Sequence, residues 1–74
     1  MASELRLEGV VRKLRRLGCN MRRTGNNYFH VTRKVAGRVR TANFPTVQGR
    51  RVKPCYVRQF KLQLLIGDDE WDDA

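Results

Sequence analysis

The only histidine, His30, stands two residues after Tyr28 and shortly beyond the arginine pair Arg22-Arg23 and the run Thr24-Gly25-Asn26-Asn27. These residue types point to contact with nucleic acid. Imidazole is the side chain that titrates near neutrality unperturbed, so it is the group here suited to moving a proton. Without any chemistry the same parts still hold RNA, with arginines on the backbone and an aromatic ring stacked on a base. Asn27 adds an amide able to hydrogen-bond RNA, although asparagine beside a glycine also serves the turn itself. A lone histidine equally suits a surface or structural place, so His30 is a candidate base and Tyr28 a candidate stacking platform.

Positioning these groups falls to strands. Polar and apolar residues alternate in 19–23, 27–33 and 38–44, which predicts three strands. The links Thr24-Gly25-Asn26 and Lys34-Val35-Ala36-Gly37 are short, so the strands form an antiparallel meander. If Met21, Phe29, Val31 and Val39 face inward, strict alternation sends Arg22, Tyr28, His30, Thr32, Arg38 and Arg40 to the other face. With Arg23 and Asn27 beside the turn, the expected RNA-binding set is Arg22, Arg23, Asn27, Tyr28, His30, Arg38 and Arg40.

Helices flank the strands. Ser3 is a candidate N-cap, and Leu7, Val10, Val11, Leu14 and Leu17 share one face of a helix over 4–17 that Gly18 ends. Its basic side, Arg12, Lys13, Arg15 and Arg16, is either solvated or set against phosphate. Pro45 closes the third strand, and residues 46–51 read as a polar, basic loop. Pro54 fits the first turn of a second helix over 54–65, with Val57, Phe60, Leu64 and Leu65 on its apolar face. The predicted architecture is α+β in the order α-β-β-β-α, a three-stranded antiparallel sheet with two helices on one face. Trp71, in the acidic tail 68–74, is expected to fold back onto the second helix.

The chain has 74 residues, enough for one domain with a thin core, and a net charge of +9. Five of its seven acids lie in the tail, so residues 1–67 hold sixteen basic residues against two acidic ones, a net of +14. That density self-repels and calls for a polyanionic partner, with nucleic acid ahead of a membrane surface. No apolar run is long enough to span a bilayer, and no secretory leader pattern is present; a cytoplasmic protein is expected. Two cysteines and one histidine make neither a disulfide framework nor a metal motif, so no metal or cofactor is expected and Cys19 and Cys55 read as buried thiols.

Taken in order, several stretches resemble the HicA-like toxins of bacterial toxin–antitoxin pairs, whose fold is similar to a double-stranded-RNA-binding domain. They are Val11-Arg12-Lys13-Leu14-Arg15-Arg16-Leu17-Gly18, the basic residues before Gly25, Gly37-Arg38-Val39 and Phe44-Pro45. Val52-Lys53-Pro54 with Val57-Arg58 and Phe60 follows, then Ile66 with Asp69-Glu70-Trp71. The resemblance covers almost the whole chain. It implies an endoribonuclease, a hydrolase of messenger RNA that uses no metal or cofactor and is silenced by a small antitoxin. In that family a histidine just after the glycine, in a Gly-Ser-His-like motif, moves the proton, as attack of a ribose 2′-hydroxyl on its neighbouring phosphate requires, with an Arg nearby to stabilise the charge on the phosphate. Here the corresponding positions read Gly25-Asn26-Asn27-Tyr28, which makes His30 the remaining candidate for the catalytic base. Three functions follow: a HicA-type ribonuclease, intact or weakened; an RNA-binding module without chemistry; or a basic face that docks an acidic antitoxin-like protein.

Overall fold

A computed structural model describes residues 5–25 and 27–74. The expected N-cap Ser3 and the turn residue Asn26 lie outside the described residues. The element order is β1 (Leu5–Arg6), α1 (Leu7–Arg16), β2 (Asn20–Thr24), β3 (Tyr28–Val35), β4 (Arg38–Pro45), β5 (Arg51–Val52), α2 (Pro54–Gln63) and α3 (Asp68–Asp73). The α-β-β-β-α layout is present, with β2-β3-β4 as an antiparallel sheet and β1-β5 as a second, two-stranded one. The small sheet explains why α1 starts three residues later than its apolar spacing suggests. Leu5 and Arg6 pair with Val52 and Arg51, and the Leu7 amide donates to the Arg50 carbonyl at 2.8 Å, so the chain is still extended there.

Gly18 ends α1 as expected. Its φ of +80° lets the Gly18 amide reach the Arg15 carbonyl and the Cys19 amide the Leu14 carbonyl, both at 3.0 Å. The second hairpin is tighter than the four-residue link suggests. Val35 pairs with Arg38, and Ala36 and Gly37 form a two-residue turn with φ of +51° and +79°. At the end of α2 the same hydrogen-bond pattern recurs with Leu65 (φ +55°) in the left-handed position. Its amide donates to the Leu62 carbonyl and the Ile66 amide to that of Lys61. Gly67 is instead the residue before α3. Leu65 is therefore an exposed turn residue, and Ile66 takes the buried place expected of it.

Both helices pack on one face of the large sheet. Val10 and Leu14 from α1, Val31, Ala42 and Phe44 from the strands, and Val57, Phe60 and Leu64 around α2 form the core. Each large apolar side chain buried there contributes about 1.5–3 kcal/mol. Phe29, Phe44, Phe60 and Trp71 run as a chain of ring contacts with centroids 5.7, 5.0 and 5.5 Å apart. Trp71 does fold back onto α2, meeting Phe60 edge-on. Lys13 helps to hold it there: its ammonium lies 5.1 Å from the indole centre and donates to the Trp71 carbonyl at 2.9 Å. Cys19 is buried, which pushes its thiol pKa up, with the Arg33 charge acting against that rise; Cys55, expected to be buried, is exposed.

One strand faces the other way from expectation. In β4 the inward residues are Ala42 and Phe44, opposite Val31 and Phe29, while Val39 is 66% exposed. Alternation then puts Arg38 and Arg40 on the same face as Phe44, and Val39 on the outer face. Two inward residues beside the centre of the core outweigh one valine near the hairpin tip.

Candidate functional site

The register of β2, β3 and β4 builds the outer face row by row. Arg22 stands opposite His30, and His30 opposite Asn43, so the three side chains cross the sheet in one line. Thr24, Tyr28 and Pro45 form the row on one side, and Asn20, Thr32 and Thr41 the row on the other. His30 is half-buried and Tyr28 is 52% exposed. A shallow depression beside the edge strand is lined by Asn20, Met21, Arg22, His30 and Thr32.

His30 has a defined partner. Its Nδ1 lies 2.8 Å from Asn43 Oδ1. An amide oxygen only accepts, so Nδ1 is the donor in this bond, and in the neutral ring Nε2 is the nitrogen with a lone pair. Arg22 stands opposite the imidazole on the neighbouring strand. Asn43 is a residue that the sequence reading missed. Nothing in its local sequence marks it; only the pairing of β3 with β4 brings it to His30.

The seven expected contact residues divide. Arg22, Tyr28 and His30 share the outer face. Asn27 sits at the turn before β3, where its carbonyl accepts from the Thr46 amide at 2.6 Å and from Thr46 Oγ1 at 3.0 Å. Arg23 pairs with Phe29 on the inner side of the sheet, its guanidinium 5.3 Å from the Phe29 ring centre. Arg38 and Arg40, expected beside His30, are exposed but on the opposite face, towards the hairpin tip. The basic charge of the outer face is therefore concentrated at Arg22, with Lys34 near the tip.

Other arginines have structural work. Arg33, on the inner face of β3, donates through Nη1 to the carbonyls of Leu64 and Leu65 at 3.1 and 3.0 Å, and through Nη2 to Glu70 at 2.9 Å. It thus closes the end of α2 and ties α3 to the sheet. Arg12, Arg15 and Arg16 on α1 are exposed. Among the described residues no group of three or more His, Cys, Asp or Glu side chains is placed to hold a metal ion, and no helix is long and apolar enough to cross a membrane.

Comparison with known proteins adds no relative: no family model, curated protein or solved structure matches the chain.

Proposed function

We propose that this chain is an RNA-binding endoribonuclease of HicA type, acting on messenger RNA in the cytoplasm and held in check by a small antitoxin protein. The observation that supports the reading is the row Arg22–His30–Asn43, an imidazole hydrogen-bonded to one neighbour with a guanidinium as the other. His30 Nε2 takes the proton from a ribose 2′-hydroxyl, and the 2′-oxygen bonds to phosphorus. The bond from phosphorus to the 5′-oxygen breaks, and that oxygen leaves with a proton from the imidazolium or from water. The products are a 2′,3′-cyclic phosphate and a 5′-hydroxyl. Arg22 stabilises the charge on the phosphate oxygens, and Tyr28 stacks on a base of the bound strand.

A second reading, RNA binding without cleavage, is favoured by the residues that follow Gly25. Asn27 and Tyr28 stand where the family resemblance calls for a proton-transferring histidine, and the Asn27 carbonyl is bound to Thr46. One assay separates the two readings. The purified chain is incubated with a long RNA in the presence of a chelator, alongside His30→Ala. The expected result is cleavage leaving cyclic-phosphate ends and a loss of about 10²–10⁴-fold in rate for His30→Ala with RNA binding retained. Equal cleavage by both proteins removes His30 from the mechanism. Binding without cleavage selects the second reading, and absence of binding sinks both.

A further inference from the structure

Next to the Arg22–His30–Asn43 row, the edge of the large sheet carries neutral polar groups. Asn20 on β2 and Thr32 on β3 are direct cross-strand partners, one row further along the outer face. With Met21, Arg22 and His30 they line the shallow depression beside the edge strand. We propose that this depression takes one base of the bound RNA strand, and that Asn20 and Thr32 read the edge of that base. The proposal rests on RNA being the partner, as in the preceding reading, and adds the place where its sequence is recognised.

The register places this pair on the same surface as the other contacts. Tyr28, His30 and Thr32 alternate along β3 and so project from one face, each roughly 6.5–7 Å from the next. His30 therefore has an exposed aromatic ring on one side and the Asn20–Thr32 pair on the other. A strand with one phosphate at Arg22 and His30 brings its two flanking bases over these places. One stacks on Tyr28, and the other enters the depression.

The chemistry of the pair fits a base better than a second phosphate. Phosphate oxygens only accept, and cations such as Arg22 suit them. Asn20 and Thr32 are uncharged, and their amide and hydroxyl offer donors and acceptors together. A base edge offers the same mixture, and an asparagine amide can pair with two adjacent positions of it, as it does with N6 and N7 of adenine. Met21 is the one apolar residue of the lining and suits the apolar face of the ring.

Both groups are available. Asn20 is exposed and Thr32 half-buried, and neither side chain has a hydrogen-bond partner among the described residues. Asn43, the other asparagine of these strands, is instead engaged by the His30 ring. The three strands contain no Asp or Glu, so no carboxylate of the sheet opposes a polyanion on this face.

The test is an NMR titration of the full chain, following the Asn20 side-chain amide and the Thr32 and Met21 methyl groups together with Arg22, Tyr28 and His30. One arm adds a short single-stranded RNA, and the other a ribose-phosphate strand of equal length without bases. Affinities for the four homopolymeric RNAs are then compared for the wild type, Asn20→Ala and Thr32→Val. Valine keeps the shape and strand preference of threonine, and circular dichroism checks both folds. RNA is expected to move the Asn20 and Thr32 signals, whereas the strand without bases moves Arg22 and leaves them in place. Asn20→Ala should weaken the preferred homopolymer by about fivefold or more and the least preferred one little. The salt dependence should stay unchanged, because no phosphate contact is lost. RNA that moves Arg22, Tyr28 and His30 but not Asn20 and Thr32 overturns the base site and leaves the proposed function standing. Equal movement of Asn20 by the strand without bases also overturns it, since the contact is then with the backbone. Both variants binding all four homopolymers in the wild-type ratios would remove these residues from recognition. RNA that moves none of the signals ends both the base site and the proposed function.

Discussion

His30 and Asn43 are thirteen positions apart in the chain yet 2.8 Å apart in space, and that contact orients the imidazole with Nδ1 as the donor. If His30 is the base, Asn43 is a positioning residue: it touches the ring, and the ring touches the substrate. Asn43→Ala is expected to lower kcat about tenfold or more with little change in KM, because RNA contacts elsewhere are untouched. Asn43→Asp keeps an acceptor for the Nδ1 proton and should retain most of the activity. Steady-state kinetics of the two variants checks this; a rise in KM at constant kcat for Asn43→Ala would place Asn43 in RNA binding instead. The partnership between Arg22, Tyr28 and His30 is legible in the sequence because β2 and β3 are joined by a short turn and their alternation is clean. Arg38 and Arg40 fall on the face opposite to expectation because Ala42 and Phe44, not Val39, set the parity of β4. Two apolar residues of one parity against one of the other is the signal the sequence carries. Asn43 needs the β3-β4 register itself, which local patterning does not contain.

At the scale of elements, the end of α2 concentrates strain and its compensation in one place. Leu65 adopts φ +55°, a conformation that costs an L-residue with a side chain about 1–2 kcal/mol. The same turn presents the Leu64 and Leu65 carbonyls to Arg33, whose hydrogen bonds favour the chain reversal there. Leu65→Gly removes the steric cost, and the deleted side chain is 48% exposed, so little burial is given up. A net stabilisation of up to about 1 kcal/mol is expected, read as a higher urea midpoint at unchanged slope. An unchanged or lower midpoint would show that the leucine packs more tightly than its exposure implies. The two main helices and three main strands can be read from periodicity, but the small sheet and α3 cannot. Two-residue strands are too short to show alternation, and six residues, five of them acidic, have no apolar face beyond Trp71.

For the molecule as a whole, the acidic tail is the counterweight to a strongly basic body, and α3 anchors it. Asp68 accepts from Lys61 at 2.7 Å, and this hydrogen bond, followed by the lysine's charge, holds its carboxyl below the usual range. Glu70 is lowered first by the Gly67 amide, at 3.1 Å from its Oε1, and then by Arg33. A carboxyl whose folded pKa is depressed binds fewer protons in the folded chain than in the unfolded one through the acid range. Stability therefore rises with pH there. The contribution of the two groups is complete above their unfolded values near 4 and is lost as pH falls through the lower folded ones. Both carboxylates are solvent-exposed, so salt screens much of their attraction and the effect should shrink as ionic strength rises. Chemical denaturation of the wild type and of Asp68→Asn/Glu70→Gln at a series of pH values checks this. The wild type should be the more stable near neutrality, and the gap should close in acid as its own carboxylates take up protons. A gap that persisted unchanged at the lowest pH would mean that the two substitutions act through local structure rather than through these charges. With the apolar contact of Trp71 with Phe60 intact in both proteins, the pH-dependent part isolates the electrostatic share of the docking.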